Sequence, residues 1–219
     1  MRARIPTSTD LAVISPPLAG WTVISLRERS QQAAARRAIE VAGARALALP
    51  GLRLQPLDAG VALQQALAQR PGIALCISPA AVRFLLRLAP AIAQHVPIGA
   101  GVGAGTAAAL RRAGFAEVIA PLDVGAQISE GLLAHPRLQR GEGRSVLLVT
   151  APGGRGVLGP ELQARGFRVE EVQVYRRGPA RLDARHARAL LSTREPLGLL
   201  LSSAEALDNV LAQLPAEAV

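Results

Sequence analysis

Short Val/Ile/Leu runs alternate with segments whose apolar residues recur at helical spacing along nearly the whole chain. The pattern predicts strands over 22–26, 45–49, 73–77, 97–102, 117–119, 145–150, 168–175 and 197–201. Between them it predicts helices over 31–42, 61–69, 80–88, 105–113, 125–133, 155–165, 183–191 and 203–214. Gly43, Gly114 and Gly166 follow three of these helices, as C-terminal stops do. Ser78-Pro79 opens another, with serine as N-cap and proline at the first helical position. The stretch 52–57, which holds Pro56, reads as an extended connector rather than a central strand, and 176–180 as a polar connector. Strands separated by helices imply parallel sheets joined by right-handed crossovers, and so an α/β fold.

The chain also repeats itself. IALCISPAAV from Ile73 parallels GLLLSSAEAL from Gly198, each a strand delivering a serine (Ser78, Ser203) into a helix start. The strand, helix, stop glycine and strand of 23–50 are echoed over 147–174. Both echoes fall at one offset of about 125 residues, the mark of a duplicated unit. One pattern has its first copy before the middle series and the other its second copy after it. The chain therefore starts one domain, builds a second and returns. The expected organisation is an extension over 1–20, a discontinuous first domain of 21–50 plus 180–219, and a second domain of 57–171. The segments 51–56 and 172–179 form a two-stranded bridge.

Composition narrows the chemistry. All 25 basic residues are arginine, giving a net charge of +9. Without lysine there is no Schiff-base or pyridoxal-phosphate chemistry and no Walker-type phosphate loop. An arginine surface suits carboxylate or phosphate partners, although high-GC coding explains the same excess. Cys76 is the single cysteine, which excludes an intramolecular disulfide and fits a reducing compartment. His95, His135 and His186 lack metal-ligand spacing, so no metal is expected. No apolar run approaches the length of a membrane span.

The polar candidates lie where predicted strands end. GAGVGAGT, from Gly99 to Thr106, admits two parses. Gly99, Gly101 and Ala104 with Glu117 fit a relaxed dinucleotide fingerprint. Alternatively Gly103 and Gly105 open a helix whose amides, with the Thr106 hydroxyl, hold an anion or merely cap the helix. APGGRG, from Ala151 to Gly156, puts Gly153, Gly154 and Arg155 between a strand and a helix, a sensible carboxylate or phosphate contact. Arg27 holds the corresponding place after the first strand, and either arginine is equally at home on a solvated surface. Ser78 and Ser203 are N-caps that can also touch a ligand. Tyr175, the single tyrosine, either packs at the bridge or serves as the one phenol available as a general acid.

Taken in order, the motifs resemble the uroporphyrinogen-III synthases. They are the strand ending at Arg27, the Ser78-Pro79-Ala80-Ala81-Val82 run, and Val102-Gly103-x-Gly105-Thr106-Ala107-x-x-Leu110. GAQISEGL from Gly125, VLLVTAPGG from Val146, LQARG from Leu162, VQVYR from Val172 and Leu201-Ser202-Ser203-x-x-x-Leu207 complete the series. The resemblance covers roughly 21–214 and implies two α/β domains on a two-stranded bridge with the active site in the cleft between them. It implies a cofactor-free lyase reaction in the cytoplasm. Hydroxymethylbilane, a linear tetrapyrrole polycarboxylate, loses water and closes with ring D inverted, through an azafulvene and a spiro intermediate. The protein folds the substrate and stabilises charge. By the same resemblance Tyr175 assists departure of the hydroxyl. Arg27, Ser78, Gly103, Thr106, Gly153, Gly154, Arg155 and Ser203 lie in substrate-facing loops. Ile77 departs from a position where the family often has threonine. Neither nucleic acid nor membrane is an expected partner, and a complete chain is expected to be a monomer. A hinged, non-catalytic binder of a small anion and a dinucleotide-dependent enzyme are the alternative readings.

The repeat carries one further expectation. Adding its offset to Gly103 places the partner turn about ten residues beyond Val219. On that reading the first domain keeps three strands, lacks about 35–45 residues of the intact repeat, and has little activity.

Overall fold

The computed structural model describes residues 16–122 and 128–215. The expectations for 1–15, for 123–127 at the start of the helix over 125–133, and for 216–219 lie outside the described residues. The chain divides into two compact units, the first formed by the segments up to Arg53 and from Gly178 onward, the second by Leu54–Arg177.

The second unit is a five-stranded parallel sheet. Its strands are β4 (Ile73–Cys76), β5 (Ile98–Gly101), β6 (Glu117–Ile119), β7 (Ser145–Thr150) and β8 (Arg168–Gln173), in the order β6-β5-β4-β7-β8. Ile73 stands opposite Ile98 on one side and Val146 on the other. Every residue of β7 is buried, as expected of a central strand covered on both faces. Alternation along β4 separates the two cores. Ala74 and Cys76 pack with Leu147, Val149, Leu63 of α2 (Gly60–Ala68) and Val82 and Leu85 of α3 (Pro79–Leu88). Ile73 and Leu75 pack on the opposite face with Leu132 of α6 (Ser129–Leu133) and Leu162 of α7 (Leu158–Ala164). Between α3 and α6 come a short α4 (Ile92–His95), which the periodicity missed, and α5 (Ala104–Arg112).

Cys76 has no exposed surface, and burial pushes its thiol from 9.0 up to about 12. The native protein should therefore resist a thiol reagent at neutral pH and react only on unfolding. The raised value also stabilises the fold fully only below the ordinary thiol range. The unfolded chain sheds this proton first, so stability falls as pH rises from about 9 towards 12. Fast stoichiometric labelling without loss of structure would contradict the burial.

The first unit holds β1 (Thr22–Ser25), β2 (Arg45–Ala48) and β10 (Leu197–Leu200) as a parallel sheet in the order β10-β1-β2. Helix α1 (Gln32–Val41) covers one face through Ile39 against Val23 and Ala44. Helices α8 (Ala184–Leu191) and α9 (Ala204–Leu211) cover the other, with Leu190, Ala206 and Val210 against Ile24, Leu26 and Leu47. The duplication is visible as topology, because β10-β1-β2 repeats the neighbours β4-β7-β8. Among the described residues β10 is one edge of this sheet, with Leu197, Leu199 and Leu200 exposed, whereas its counterpart β4 also pairs with β5.

Three local expectations are corrected by the backbone. Residues 16–20, read as part of a loose extension, form a turn in which the Leu18 amide donates to Ala42 O at 2.9 Å and the Leu18 side chain joins a core. The strand expected over 168–175 stops at Gln173. Tyr175 instead begins β9 (Tyr175–Pro179), which pairs with β3 (Leu52–Pro56) in a separate two-stranded sheet. The segments 51–56 and 172–179, expected as a two-stranded bridge, hold these two strands, and the chain passes from one unit to the other within them. The helix expected from Arg155 begins only at Leu158, because Gly156 adopts a φ of +66°. That left-handed backbone cannot belong to an α-helix.

Candidate active site

In the second unit the sequence-predicted groups sit at the carboxyl ends of three adjacent parallel strands, β5, β4 and β7, the usual place for a ligand site in an open α/β sheet. After β4, the Ser78 hydroxyl accepts from the Ala81 amide at 3.0 Å and so caps α3. The same oxygen lies 3.1 Å from the Tyr175 hydroxyl. These two residues, 97 positions apart, are the pair of candidates that the fold brings into contact. Tyr175 is only 2 % exposed, and its ring stacks on Phe84 of α3 at 5.2 Å with 14° between the planes. The guanidiniums of Arg83 and Arg87 lie 5.2 and 5.1 Å from the Phe84 centroid. With Ser78 donating to the phenol, the Tyr175 proton is free for a third group, and the helix-capping amide polarises the chain in that sense.

After β5, Gly103 caps α5 without a side-chain bond, and Thr106 is buried. The glycines before it answer a packing demand. A Cβ on Gly99 would stand 3.1 Å from the Phe115 ring, and one on Gly101 would stand 3.0 Å from Thr106 and the Ala107 amide. Close approach of α5 to β5 therefore accounts for both. Glu117, the acidic residue of the dinucleotide parse, pairs with Arg137 at 3.1 Å.

After β7, residues 151–157 form a glycine-rich loop over a cavity of about 330 Å³ that includes Ile77, Ser129, Gly153, Gly154 and Arg155. Arg155 makes a bidentate pair with Glu130 of α6, at 2.7 and 2.9 Å. The Arg155 guanidinium holds the Glu130 carboxyl below its ordinary value, and Glu130 in turn raises Arg155. Sequence reading missed Glu130, since a loop arginine carries no signal of a partner 25 residues earlier.

In the first unit Arg27 follows β1, is exposed, and its carbonyl accepts from the Gln32 amide nitrogen at 2.6 Å. Ser203 follows β10 and caps α9 by accepting from the Ala206 amide at 3.2 Å, repeating Ser78. Among the described residues no group of three or more His, Cys, Asp or Glu could hold a metal ion, and no helix is long and apolar enough to cross a membrane.

Parallel sheets, a duplicated core and polar groups gathered at strand ends define a two-unit α/β protein of the kind that binds ligands at those ends. The family model described as uroporphyrinogen-III synthase HemD matches residues 33–218. This chain belongs to the uroporphyrinogen-III synthase family. It is 33 % identical over 114 residues to the uroporphyrinogen-III synthase of Salmonella typhimurium, and 31 % over 114 residues to that of Escherichia coli. Each match covers 52 % of this chain and 46 % of the relative, so the chain spans about half the length of the curated relatives it matches. Its fold is similar to that of Helicobacter pylori uroporphyrinogen-III synthetase, with a TM-score of 0.57 and 19 % identity over 89 % of this chain and 78 % of the other. A mutant Thermus thermophilus uroporphyrinogen III synthase gives 0.53 and 21 %, over 88 % and 77 %.

Proposed function

We propose that this protein cyclises hydroxymethylbilane to uroporphyrinogen III, with loss of water and inversion of ring D, as a lyase without a cofactor. The observation that carries this reading is the family match over residues 33–218. The Ser78–Tyr175 hydrogen bond supports it by coupling two candidate residues from different parts of the chain. Tyr175 donates its phenolic proton to the departing hydroxyl, the carbon–oxygen bond breaks, and water leaves. The substituted carbon of ring D then attacks the resulting azafulvene, the spiro species reopens and recloses inverted, and the proton shed by the closing pyrrole carbon restores the Tyr175 phenol. Pyrrole nitrogens and carbons supply the electrons, while the protein supplies the folded arrangement of the chain and donors for developing charge. Arg27, Ser78, Gly103, Thr106, Gly153, Gly154, Arg155 and Ser203 contribute substrate contacts, and the protein works as a cytoplasmic monomer.

The test is product identity. Freshly generated hydroxymethylbilane closes unaided to isomer I, so the protein should divert the oxidised porphyrin product to isomer III in proportion to its concentration. Isomer I alone at every protein concentration would overturn the reading. Saturable binding without isomer III would leave a hinged anion binder in its place.

A further inference from the structure

The first unit contains a cavity of about 700 Å³, within the usual range for small-molecule sites, that none of the motifs singled out. Five arginines line it: Arg29 just before α1, Arg36 and Arg37 on α1, Arg53 on β3, and Arg181 beyond β9. Among the described residues none of the five has a carboxylate partner, in contrast to Arg45, Arg137 and Arg155. One acid, Asp183, reaches the lining, and its carboxylate is occupied in capping α8. It accepts from the Arg185 and His186 amides at 2.9 and 3.3 Å and lies 2.8 Å from His186 Nδ1. Five cations facing one concavity repel each other, and a concave wall concentrates their field. An anion with several charged arms relieves that repulsion.

The sequence carries a signal for this site. Arg29, Gln32, Ala33, Arg36 and Arg37 all line the cavity, and their spacing is that of one helical face. Gln32 also ties the loop of Arg27 to the same helix, through the bond to the Arg27 carbonyl.

We infer that this cavity is a polycarboxylate-binding site, taking the side-chain carboxylates of a tetrapyrrole. The ligand's identity rests on the function proposed above, whereas the site itself rests on the five unpaired guanidiniums. Planar forks of arginine match carboxylates bidentately, and their arrival from three segments suits several carboxylates on one frame better than a single small anion.

The test uses uroporphyrin I, a stable polycarboxylate that is not turned over, titrated into the full chain and followed by porphyrin fluorescence. The variant R36Q/R37Q/R181Q should bind about 100-fold more weakly. The control R111Q/R140Q/R194Q removes the same charge from exposed positions outside the cavity and should weaken binding by no more than about threefold. A third variant, R36K/R37K/R181K, keeps the charge and should recover part of the loss, which separates binding from misfolding. Equal weakening in the first two variants, or no binding by the parent chain, would overturn the inference. Cyclisation is assayed separately. Binding at the cavity without isomer III would count against the proposed reaction and leave the site standing; isomer III formed at the parent rate by R36Q/R37Q/R181Q would do the reverse.

Discussion

Tyr175→Phe should slow isomer III formation by about 10- to 1000-fold, the range for loss of a positioned proton donor. The substitution removes one oxygen and keeps the ring, so the stack on Phe84 at 5.2 Å survives. Ser78 keeps its bond from the Ala81 amide, and its half-buried hydroxyl proton is the one group that loses a partner. The stability cost should accordingly be about 1 kcal/mol, that of one ordinary hydrogen bond. A large rate effect with a small stability effect is the signature of a chemical role. Ser78→Ala provides the contrast: it removes the helix cap and the phenol's partner together, at about 1 kcal/mol for the cap, and should slow the reaction less because the phenol remains. A Tyr175→Phe protein that forms isomer III at the parent rate would reduce Tyr175 to a packing residue.

Gly51→Ala should destabilise the first unit by about 3 kcal/mol or more, at the upper end of overpacking effects. A Cβ built there would stand 2.1 Å from the carbonyl oxygen of Ala206 and 2.7 Å from its Cα and carbonyl carbon. These are backbone atoms of a fully buried residue in the first turn of α9, whose amide is held by Ser203. Gly51 is pinned as well: its amide donates to Leu26 O at 3.3 Å, and its carbonyl accepts from the Ala180 amide at 3.2 Å. Neither side can yield without breaking a cap or a strand-end bond. Thermal unfolding should show Tm lower by roughly 6–12 °C. Gly60→Ala, at the start of α2 with nothing within 4 Å of a new Cβ, is the matched control and should be neutral or slightly stabilising. Indistinguishable melting of Gly51→Ala and the parent would mean that α9 shifts freely.

Much of the scaffold was legible because local rules and the global fold agree. The fully buried β7 was predicted with its observed bounds, since a strand covered on both faces reads as an uninterrupted apolar run. Ser78 and Ser203 were recognised as helix caps from neighbouring residues alone, and both accept the amide three residues on. The repeat was visible because duplication preserves spacing, and it reappears as the shared orders β4-β7-β8 and β10-β1-β2. The site was less legible. The arginine cavity leaves only a partial trace in the sequence: Arg29, Gln32, Ala33, Arg36 and Arg37 share one helical face, but Arg53 and Arg181 join them from distant segments.

The sequence by itself determined the alternation of elements, the α/β class, the caps and the duplication, all of which depend on residues within a few positions or on a constant spacing. Only the tertiary structure decided the contacts between distant segments. It joined the Tyr175 hydroxyl to Ser78 and set Arg155 against Glu130. It also made Gly51 the point where a loop lies against the backbone of α9. Periodicity reports which face of an element is buried, but not which atoms it is buried against. That choice belongs to the packing of whole elements, where one methyl group or one hydroxyl meets a neighbour 97 or more residues away.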